Sequence, residues 1–344
     1  MNVATVMITG GAGFIGVNAS LHFARLGHRI VVVDNLSRRG TDANFEWLSS
    51  QVPATLERCD VRDAAAIARV IEKHQPDLLI HLAAQVAVTT SVTNPREDFE
   101  INALGTFNVL EGVRLGAPNA FVIYASTNKV YGKLAHLGVV ERNGRYEYSD
   151  HPDGVAETEQ LDFYSPYGCS KGVADQYVID YARIYGLKTV SLRQSCIYGT
   201  RQLGIEDQGW VAWFAIAATL SKRLTIYGDG KQIRDVLDVR DLVRCYEMAY
   251  DARERISGRA FNIGGGSANT LSLLELLAHL EQVTGKPIPR TFAAPRPGDQ
   301  PVFVCNVRSA EDAFGWKPHV CVEDGVIHLI HWVKGNPELF SWMN

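Results

Sequence analysis

An α/β fold is predicted for this chain, a doubly wound parallel sheet joined to a smaller C-terminal region, and three observations carry that expectation. Short runs of apolar, often β-branched residues alternate with stretches of helical periodicity from the start to about residue 195. A glycine-rich turn follows the first run, and an acidic residue closes the second. Runs that are apolar throughout, without polar alternation, fit parallel strands covered by helices on both faces.

In order, Val3 to Thr9 reads as a strand ending in Gly10-Gly11-Ala12-Gly13-Phe14-Ile15-Gly16, and a helix follows to about Leu26. Ile30 to Val33 is a second strand, closed by Asp34, and a third precedes Asp60. A helix around Ala64 to Lys73, a strand Leu78 to Leu82, a helix around Phe99 to Leu115 and a strand Ala120 to Tyr124 continue the alternation. A long helix from about Tyr167 to Tyr185 and a strand Thr189 to Gln194 complete it. Residues 132 to 166 break the rhythm with polar residues, Pro and Gly; a lid over a site and a plain surface excursion both fit that segment. Beyond residue 195 the pattern loosens into short strands such as Leu224 to Tyr227 and helices around Asp241 to Tyr250 and Ser272 to Thr284. The expected division is a main sheet domain over residues 1–195 and a ligand-binding region over 196–344, interleaved with it and without a linker.

Gly11 to Gly16 is GxGxxG, placed directly after a strand and opening a helix, the context that gives the motif meaning. One glycine makes the tight turn, one lets the backbone approach a pyrophosphate, and Gly16 lets helix and sheet pack closely, with the helix N-terminus facing the phosphate charge. The expected fold is therefore an NAD(P)-binding Rossmann fold, with Gly10, Gly13, Phe14 and Ile15 at the pyrophosphate. Asp34, 18 residues beyond Gly16, is placed to accept hydrogen bonds from the adenine ribose and would repel a 2′-phosphate, which favours NAD over NADP. Asn35, Ser37 and Arg38 stand beside it, and Arg38 is the neighbour suited to receive such a phosphate.

Tyr167-Gly168-Cys169-Ser170-Lys171 is YxxxK, and on a helix positions four apart share a face. A tyrosine of pKa about 10 is a poor base at neutral pH; an adjacent ammonium, together with the positive nicotinamide, is expected to stabilise the phenolate and lower that value. Lys171 is also expected to hold the nicotinamide ribose. Thr127, just beyond the fifth strand, would donate a hydrogen bond to the substrate oxygen whose proton Tyr167 removes. The plain alternative makes Tyr167 a core aromatic and Lys171 a solvated helix residue.

Composition narrows the field. Over 344 residues, apolar types are 46% and charged types 21%, an ordinary globular balance, and the net charge of -4 offers no basic field for nucleic acid or an anionic membrane. No run approaches the length of a membrane span, and the opening from Met1 to Val6 enters a strand without a charged leader, so a cytoplasmic protein is expected. The six cysteines lack a CxxC and the ten histidines lack an HxH or HxxxH pair, so no metal site is expected. Cys169 and Cys196 read as buried small hydrophobes.

These elements, in this order and spacing from Val3 to about Trp332, resemble the extended short-chain dehydrogenases and reductases that act on nucleotide-sugars. Within that group, Ser126-Thr127-Asn128-Lys129-Val130-Tyr131-Gly132, the run Ser165 to Gly172, and Asp207-Gln208-Gly209-Trp210-Val211 are similar to the epimerases that act at C2 of CDP-sugars. The resemblance implies NAD-dependent epimerisation at C2 of a CDP-hexose, of the CDP-paratose/CDP-tyvelose or CDP-glucose type, through a transient 2-keto sugar. It makes Thr127, Tyr167 and Lys171 catalytic. It places Asp60 and Val61 beside the adenine and Leu82, Ala83, Ala84 and Gln85 along the ribose and pyrophosphate, with Asn102 and Ser126 also lining the cofactor. It puts Arg234 and Arg296 on the diphosphate, where guanidinium forks suit the task, with Gln232 and Asp299 in the same runs and Ile226 and Tyr227 beside the base or ribose. Asn128 would orient the reacting end, and Gln85 and Gln194 would reach sugar hydroxyls. Gln208 or Trp213 would lie near the nucleotide or sugar, although Trp213, like Trp210, reads equally as a core aromatic.

Two departures sharpen the expectation. Sugar-nucleotide 4,6-dehydratases carry Thr-Asp-Glu where this chain has Thr127-Asn128-Lys129, so elimination of water lacks its acid and base. UDP-galactose 4-epimerases carry Arg-Tyr-Phe-Asn where this chain has Arg193-Gln194-Ser195-Cys196. Epimerisation at C4 of a UDP- or other NDP-hexose is the alternative chemistry, and an NAD-binding regulatory protein is the alternative outside enzymes. Association through the helices at 99–115 and 167–185, as a homodimer or homotetramer, is a further implication of the resemblance.

Overall fold

In the computed structural model of the protein, residues 3–296 and 299–343 are described; the opening Met1 and Asn2, and Pro297 and Gly298 between Arg296 and Asp299, lie outside them. The strands are β1 (Thr5–Thr9), β2 (Arg29–Asp34), β3 (Thr55–Arg58), β4 (Leu78–His81), β5 (Phe121–Thr127), β6 (Val139–Arg142), β7 (Arg145–Tyr148), β8 (Lys188–Gln194), β9 (Cys196–Tyr198), β10 (Leu224–Tyr227), β11 (Ile233–Asp238), β12 (Arg259–Ile263), β13 (Thr270–Ser272), β14 (Arg290–Ala293) and β15 (Val302–Phe303).

Seven of them form one parallel sheet in the order β12-β8-β5-β4-β1-β2-β3. The all-apolar run of β1 explains its central place: Val6 and Ile8 point into one helical layer and Met7 into the other, so both faces are covered. Ile8 pairs with Val32 of β2 and with Ile80 of β4. The strand order reverses at β1, and a crevice opens beyond the carboxyl ends of β1 and β4, the place where such sheets hold ligands.

The remaining strands build a smaller region. β9, β11, β13 and β15 form one sheet and β10 and β14 another, around an apolar core that includes Ile216, Leu224, Ile226, Leu276 and Leu329. The two parts share chain: β12 returns to the main sheet beside β8. Residues 132–166 contain the β6–β7 hairpin, fastened to the C-terminal part rather than free. The Tyr148 hydroxyl donates to the Val302 carbonyl at 3.0 Å, the Tyr146 N–H to the Lys231 carbonyl at 3.1 Å, and Arg145 pairs with Glu275 at 3.0 Å.

Two features were not expected. The helix Thr41–Gln51 buries only Thr41, Asn44 and Leu48 fully, so it shows no apolar stripe in sequence. The helix expected from Phe99 to Leu115 begins with a π-helical turn, Glu100–Leu104, a distortion common at functional sites. No helix among the described residues is long and apolar enough to cross a membrane, and none of their His, Cys, Asp and Glu side chains gather as a metal-binding group of three.

Candidate active site

The cofactor end is built by backbone. Gly10 has φ +66°, and a Cβ there would lie 2.7 Å from the Ala83 nitrogen, so only glycine lets the turn after β1 press against the chain after β4. A Cβ on Gly16 would lie 2.5 Å from the Gly11 Cα, which fixes the close crossing of helix and turn. The helix Phe14–Arg25 starts at Gly13 with no side-chain cap, leaving its first N–H groups open to an anion. At the end of β2 the Asp34 carboxylate accepts the Ala12 N–H at 3.0 Å and the Leu36 N–H at 2.9 Å. Burial raises its pKa, opposed by those N–H groups and by Arg38. A bare cradle of N–H groups next to a fixed carboxylate is the donor and acceptor set that a dinucleotide's pyrophosphate and ribose require, and the residues fit NAD.

Around this cradle the side chains are ordered by one another. Asn35 donates to Asp60 at 2.9 Å, and Arg62 grips Asp60 with two nitrogens at 3.0 and 2.7 Å; the Arg62 hydrogen bond holds the Asp60 carboxyl down at about 2. The Ser37 N–H donates to the Asn35 side-chain oxygen at 3.0 Å. Val61 is buried, Leu82, Ala83 and Ala84 follow β4, and Ser126 is buried one residue before Thr127.

Thr127 ends β5, in register with Gln194 of β8. Its hydroxyl accepts the Lys129 N–H at 3.2 Å and lies 3.3 Å from the Asn128 side-chain oxygen. Tyr167 lies in the first turn of the helix Pro166–Tyr185. Ser165 caps that helix by accepting the Gly168 N–H at 3.2 Å, and Pro166 occupies a position that needs no N–H. Lys171 follows one turn later. Tyr167 and Lys171 are both buried, so Lys171 is not a solvated helix residue.

The expected effect of Lys171 on Tyr167 is not what the structure displays. Burial pushes the Tyr167 phenol up to about 12; the Thr127 hydroxyl and Arg38 draw it back, while Asp98 adds to the rise. The Lys171 ammonium is directed elsewhere, donating to the Ala125 carbonyl at 2.6 Å and lying 4.2 Å from the Tyr124 ring centre. Burial pulls Lys171 down to about 7, against the opposing pull of Asp175 and Asp98. At this point of the cleft desolvation outweighs the Coulombic help expected from sequence.

Asp98 is the residue that sequence reading missed. Fully buried, it accepts hydrogen bonds from Gln85 at 2.8 Å, Asn102 at 3.1 Å and Ser170 at 2.5 Å. Burial raises its pKa. Asn102, in the π-helical turn, also exchanges hydrogen bonds with the Gln85 backbone at 2.9 and 3.0 Å. This hub joins the chain after β4 to the catalytic helix, and no local motif around Asp98 announces it.

Gln85, expected to reach a sugar hydroxyl, has its amide engaged by Asp98 and Ala87. Gln194, with the same expectation, donates through its amide to the Tyr246 hydroxyl at 2.8 Å. Ile226 is fully buried in the second core, since alternation along β10 turns Thr225 and Tyr227 outward instead. Trp213 packs partly buried against that same core, as the core-aromatic alternative has it. Cys169 is exposed on the outer face of its helix, and Cys196 is half-buried, so neither is the fully buried hydrophobe expected.

The nucleotide-sugar residues do gather. Arg234, on β11, is buried and pairs with Asp299. The Arg296 guanidinium lies 4.1 Å from the Tyr227 ring centre and pairs with Asp207 at 3.0 Å. Gln232 donates to the Tyr227 carbonyl at 2.7 Å. Gln208 accepts from Arg38, so the loop beside Asp34 and the loop of the smaller region meet across the cleft.

The fold and this site define a nucleotide-binding member of the short-chain dehydrogenase and reductase type. The model of the NAD dependent epimerase/dehydratase family matches residues 6–264, and the chain belongs to that family, with NAD as its cofactor. It is 46% identical to the CDP-paratose 2-epimerase of Salmonella typhi over 334 residues, 96% of this chain and 99% of that one. Among solved structures, the UDP-glucose 4-epimerase of Thermotoga maritima with UDP-glucose is similar at a TM-score of 0.83 and 30% identity, covering 97% of this chain and 99% of that one. The UDP-glucose 4-epimerase of Thermus thermophilus, in complex with NAD, gives 0.80 and 30%, covering 96% and 99%.

Proposed function

We propose that the protein is an isomerase that inverts C2 of a CDP-hexose by oxidation to a 2-keto sugar and reduction on the opposite face. The observation that carries this reading is the end-to-end likeness to a CDP-paratose 2-epimerase at 46% identity. The run Thr127-Asn128-Lys129 supports it, because it has an amide and an ammonium where the dehydratases carry the two carboxyl groups of dehydration.

NAD, when bound, supplies the hydride acceptor, then the donor, and a positive charge beside the phenol. Tyr167, as the phenolate that this charge would favour, takes the proton from the C2 hydroxyl and later returns it, and Thr127 holds that oxygen by a hydrogen bond. Lys171 is a ribose ligand whose own position is fixed by the Ala125 carbonyl. Asp98 acts through Gln85, Asn102 and Ser170 as a positioning residue. Arg234 and Arg296 are assigned to the diphosphate; they lean on Asp299 and Asp207, which the diphosphate would displace. The sugar must then turn while its diphosphate stays held.

Purified protein, without added NAD, is incubated in turn with CDP-paratose, CDP-glucose and UDP-glucose while the ring protons are followed by NMR. Inversion at C2 of a CDP-sugar is the expected result. Inversion at C4 of UDP-glucose instead would move the assignment to a 4-epimerase, the activity named for the two solved relatives.

We also propose a homodimer across the outer faces of the helices Gly105–Gly116 and Pro166–Tyr185. Phe107 and Tyr177 meet edge to face at 5.9 Å, and Leu115, Ile184 and Tyr185 are exposed near them. A cytoplasmic location goes with six cysteines that are all free.

A further inference from the structure

At the substrate end of the cleft, Lys129 has no task in the mechanism above. It lies two residues beyond Thr127, in the short 3₁₀ turn Asn128–Tyr131 that Thr127 caps. Its ammonium shares one charge cluster with Arg234, Asp299 and the Cys196 thiol. Among the described residues it donates one side-chain hydrogen bond, to the neutral Gln300 oxygen at 3.3 Å. Gln300 in turn donates to the Gly132 carbonyl at 2.5 Å, which fixes its orientation. Asp299, the carboxylate of this corner, is already paired with Arg234. Two cations thus face one carboxylate. Burial and the neighbouring Arg234 push Lys129 down to about 8, the direction expected of a cation that lacks an anion.

The place of Lys129 next to Thr127 bears on regiochemistry. In a nucleotide-hexose the C2 carbon adjoins the anomeric carbon that carries the diphosphate, whereas C4 lies across the ring. The reacting hydroxyl is fixed at Thr127 and Tyr167. An enzyme acting at C2 must hold the β-phosphate close to that pair, and one acting at C4 must hold it a ring's width away. Lys129, whose own N–H donates to the Thr127 hydroxyl at 3.2 Å and whose ammonium lies beside the Arg234 guanidinium, is sited for the first arrangement.

We infer that Lys129 binds the β-phosphate of the substrate and, by holding it near Thr127, presents C2 rather than C4 to Tyr167. The inference rests on the C2 reading above, and it makes Lys129 a specificity-determining residue of that reaction.

The test uses the holoenzyme and two ligands, CDP and CMP, of which CMP lacks the β-phosphate. Lys129→Gln is expected to weaken CDP about 10- to 100-fold, the scale of a lost charge-assisted hydrogen bond, and to leave CMP within about 3-fold, well under 1.4 kcal/mol. Lys129→Arg restores most of the CDP affinity. Equal losses for both ligands, or no loss, would overturn the β-phosphate contact. With CDP-sugar as substrate, Lys129→Gln should lose C2 inversion while keeping bound NAD; unchanged C2 turnover would overturn the regiochemical part.

The wild-type protein supplies an arm that needs no variant. The advantage of CDP over CMP should shrink as pH rises above about 8, where Lys129 loses its proton; an advantage flat to about pH 10 would count against Lys129. The Arg234 guanidinium, the Asp299 carboxylate and the Cys196 thiol face the same point, and burial pushes the Cys196 thiol above its usual range, so a loss that sets in near pH 8 belongs to Lys129. If wild type inverts C4 and not C2, the C2 reading fails, and the CDP and CMP comparison still judges the phosphate contact by itself.

Discussion

At the cofactor end of the cleft, recognition is assembled from one short stretch of backbone: Gly10 at φ +66°, Gly16 crossing Gly11, and N–H groups at the start of the helix Phe14–Arg25. At the nucleotide-sugar end it is assembled from side chains on separate segments. Lys129 follows β5, Tyr227 ends β10, Arg234 lies on β11, and Arg296 and Asp299 lie between β14 and β15. The first end presents its N–H groups uncapped, while the cations of the second are partly neutralised by Asp299 and Asp207. Backbone sites are preorganised and tolerate almost no substitution. Side-chain sites exchange internal ion pairs for the ligand's charges, which suits a pocket in which a sugar must turn.

The largest expected effect lies where the two ends meet. Tyr167→Phe removes the proton carrier and should lower kcat by about 10³-fold, within the range for general acid–base groups, with NAD content and Tm unchanged. Arg234→Met should raise KM for the nucleotide-sugar by about 10- to 100-fold, the equivalent of a hydrogen bond to a charged group, and leave NAD retention intact. Gly10→Ala tests the other end: a Cβ 2.7 Å from the Ala83 nitrogen, at a φ that L residues avoid, should cost about 1–3 kcal/mol. The loss should appear as reduced NAD copurification and a lower Tm. If Gly10→Ala kept its NAD while Arg234→Met lost it, the contrast between the ends would collapse.

The same contrast explains what sequence reveals. The glycine turn, Asp34 and YxxxK were legible because each is a local pattern whose spacing is set by one turn or one helix, and the structure brings their residues to one crevice. The partners of Gln194 and Gln85 were not legible because a glutamine near a strand end has many within reach. Gln194 turned to Tyr246, 52 positions on, and Gln85 to Asp98, on the short helix Pro95–Phe99. Asp98 itself, and the π-helical turn that carries Asn102, have no periodic signature. The pull of Lys171 on Tyr167 was misjudged for another reason: sequence gives the four-residue spacing and not the degree of burial, and burial dominates both groups.

Lys171 offers a subtler measurement. Its folded pKa of about 7 lies below its ordinary value of 10.5. Between these values the unfolded chain holds a proton that the folded chain does not, so stability rises with pH across that window and the benefit is absent below about 7. Wild-type Tm should therefore climb from about pH 7 to about pH 9.5 more than that of Lys171→Met, a variant that also lacks activity. Parallel Tm profiles would mean that the Lys171 ammonium is solvated better than its burial implies.

The smallest expected effect is the most discriminating for the sugar pocket. Gln194 was expected to bind a sugar hydroxyl, and its amide instead donates to the Tyr246 hydroxyl at 2.8 Å, on the side of the sheet that holds the first core. Gln194→Met removes that donor in a side chain of similar length. The Tyr246 hydroxyl, fully buried, would be left without this partner at a cost of about 1–3 kcal/mol, read as a Tm lower by a few degrees. kcat/KM should stay within about 3-fold of wild type, since less than about 1 kcal/mol of transition-state binding is at stake. A fall in kcat/KM of about 100-fold with Tm unchanged would mean that Gln194 leaves Tyr246 and swings to the sugar when substrate enters. The end of β8 would then belong to the moving, side-chain half of the cleft rather than to the fixed half, and the boundary between the two would have to be drawn one strand nearer the cofactor.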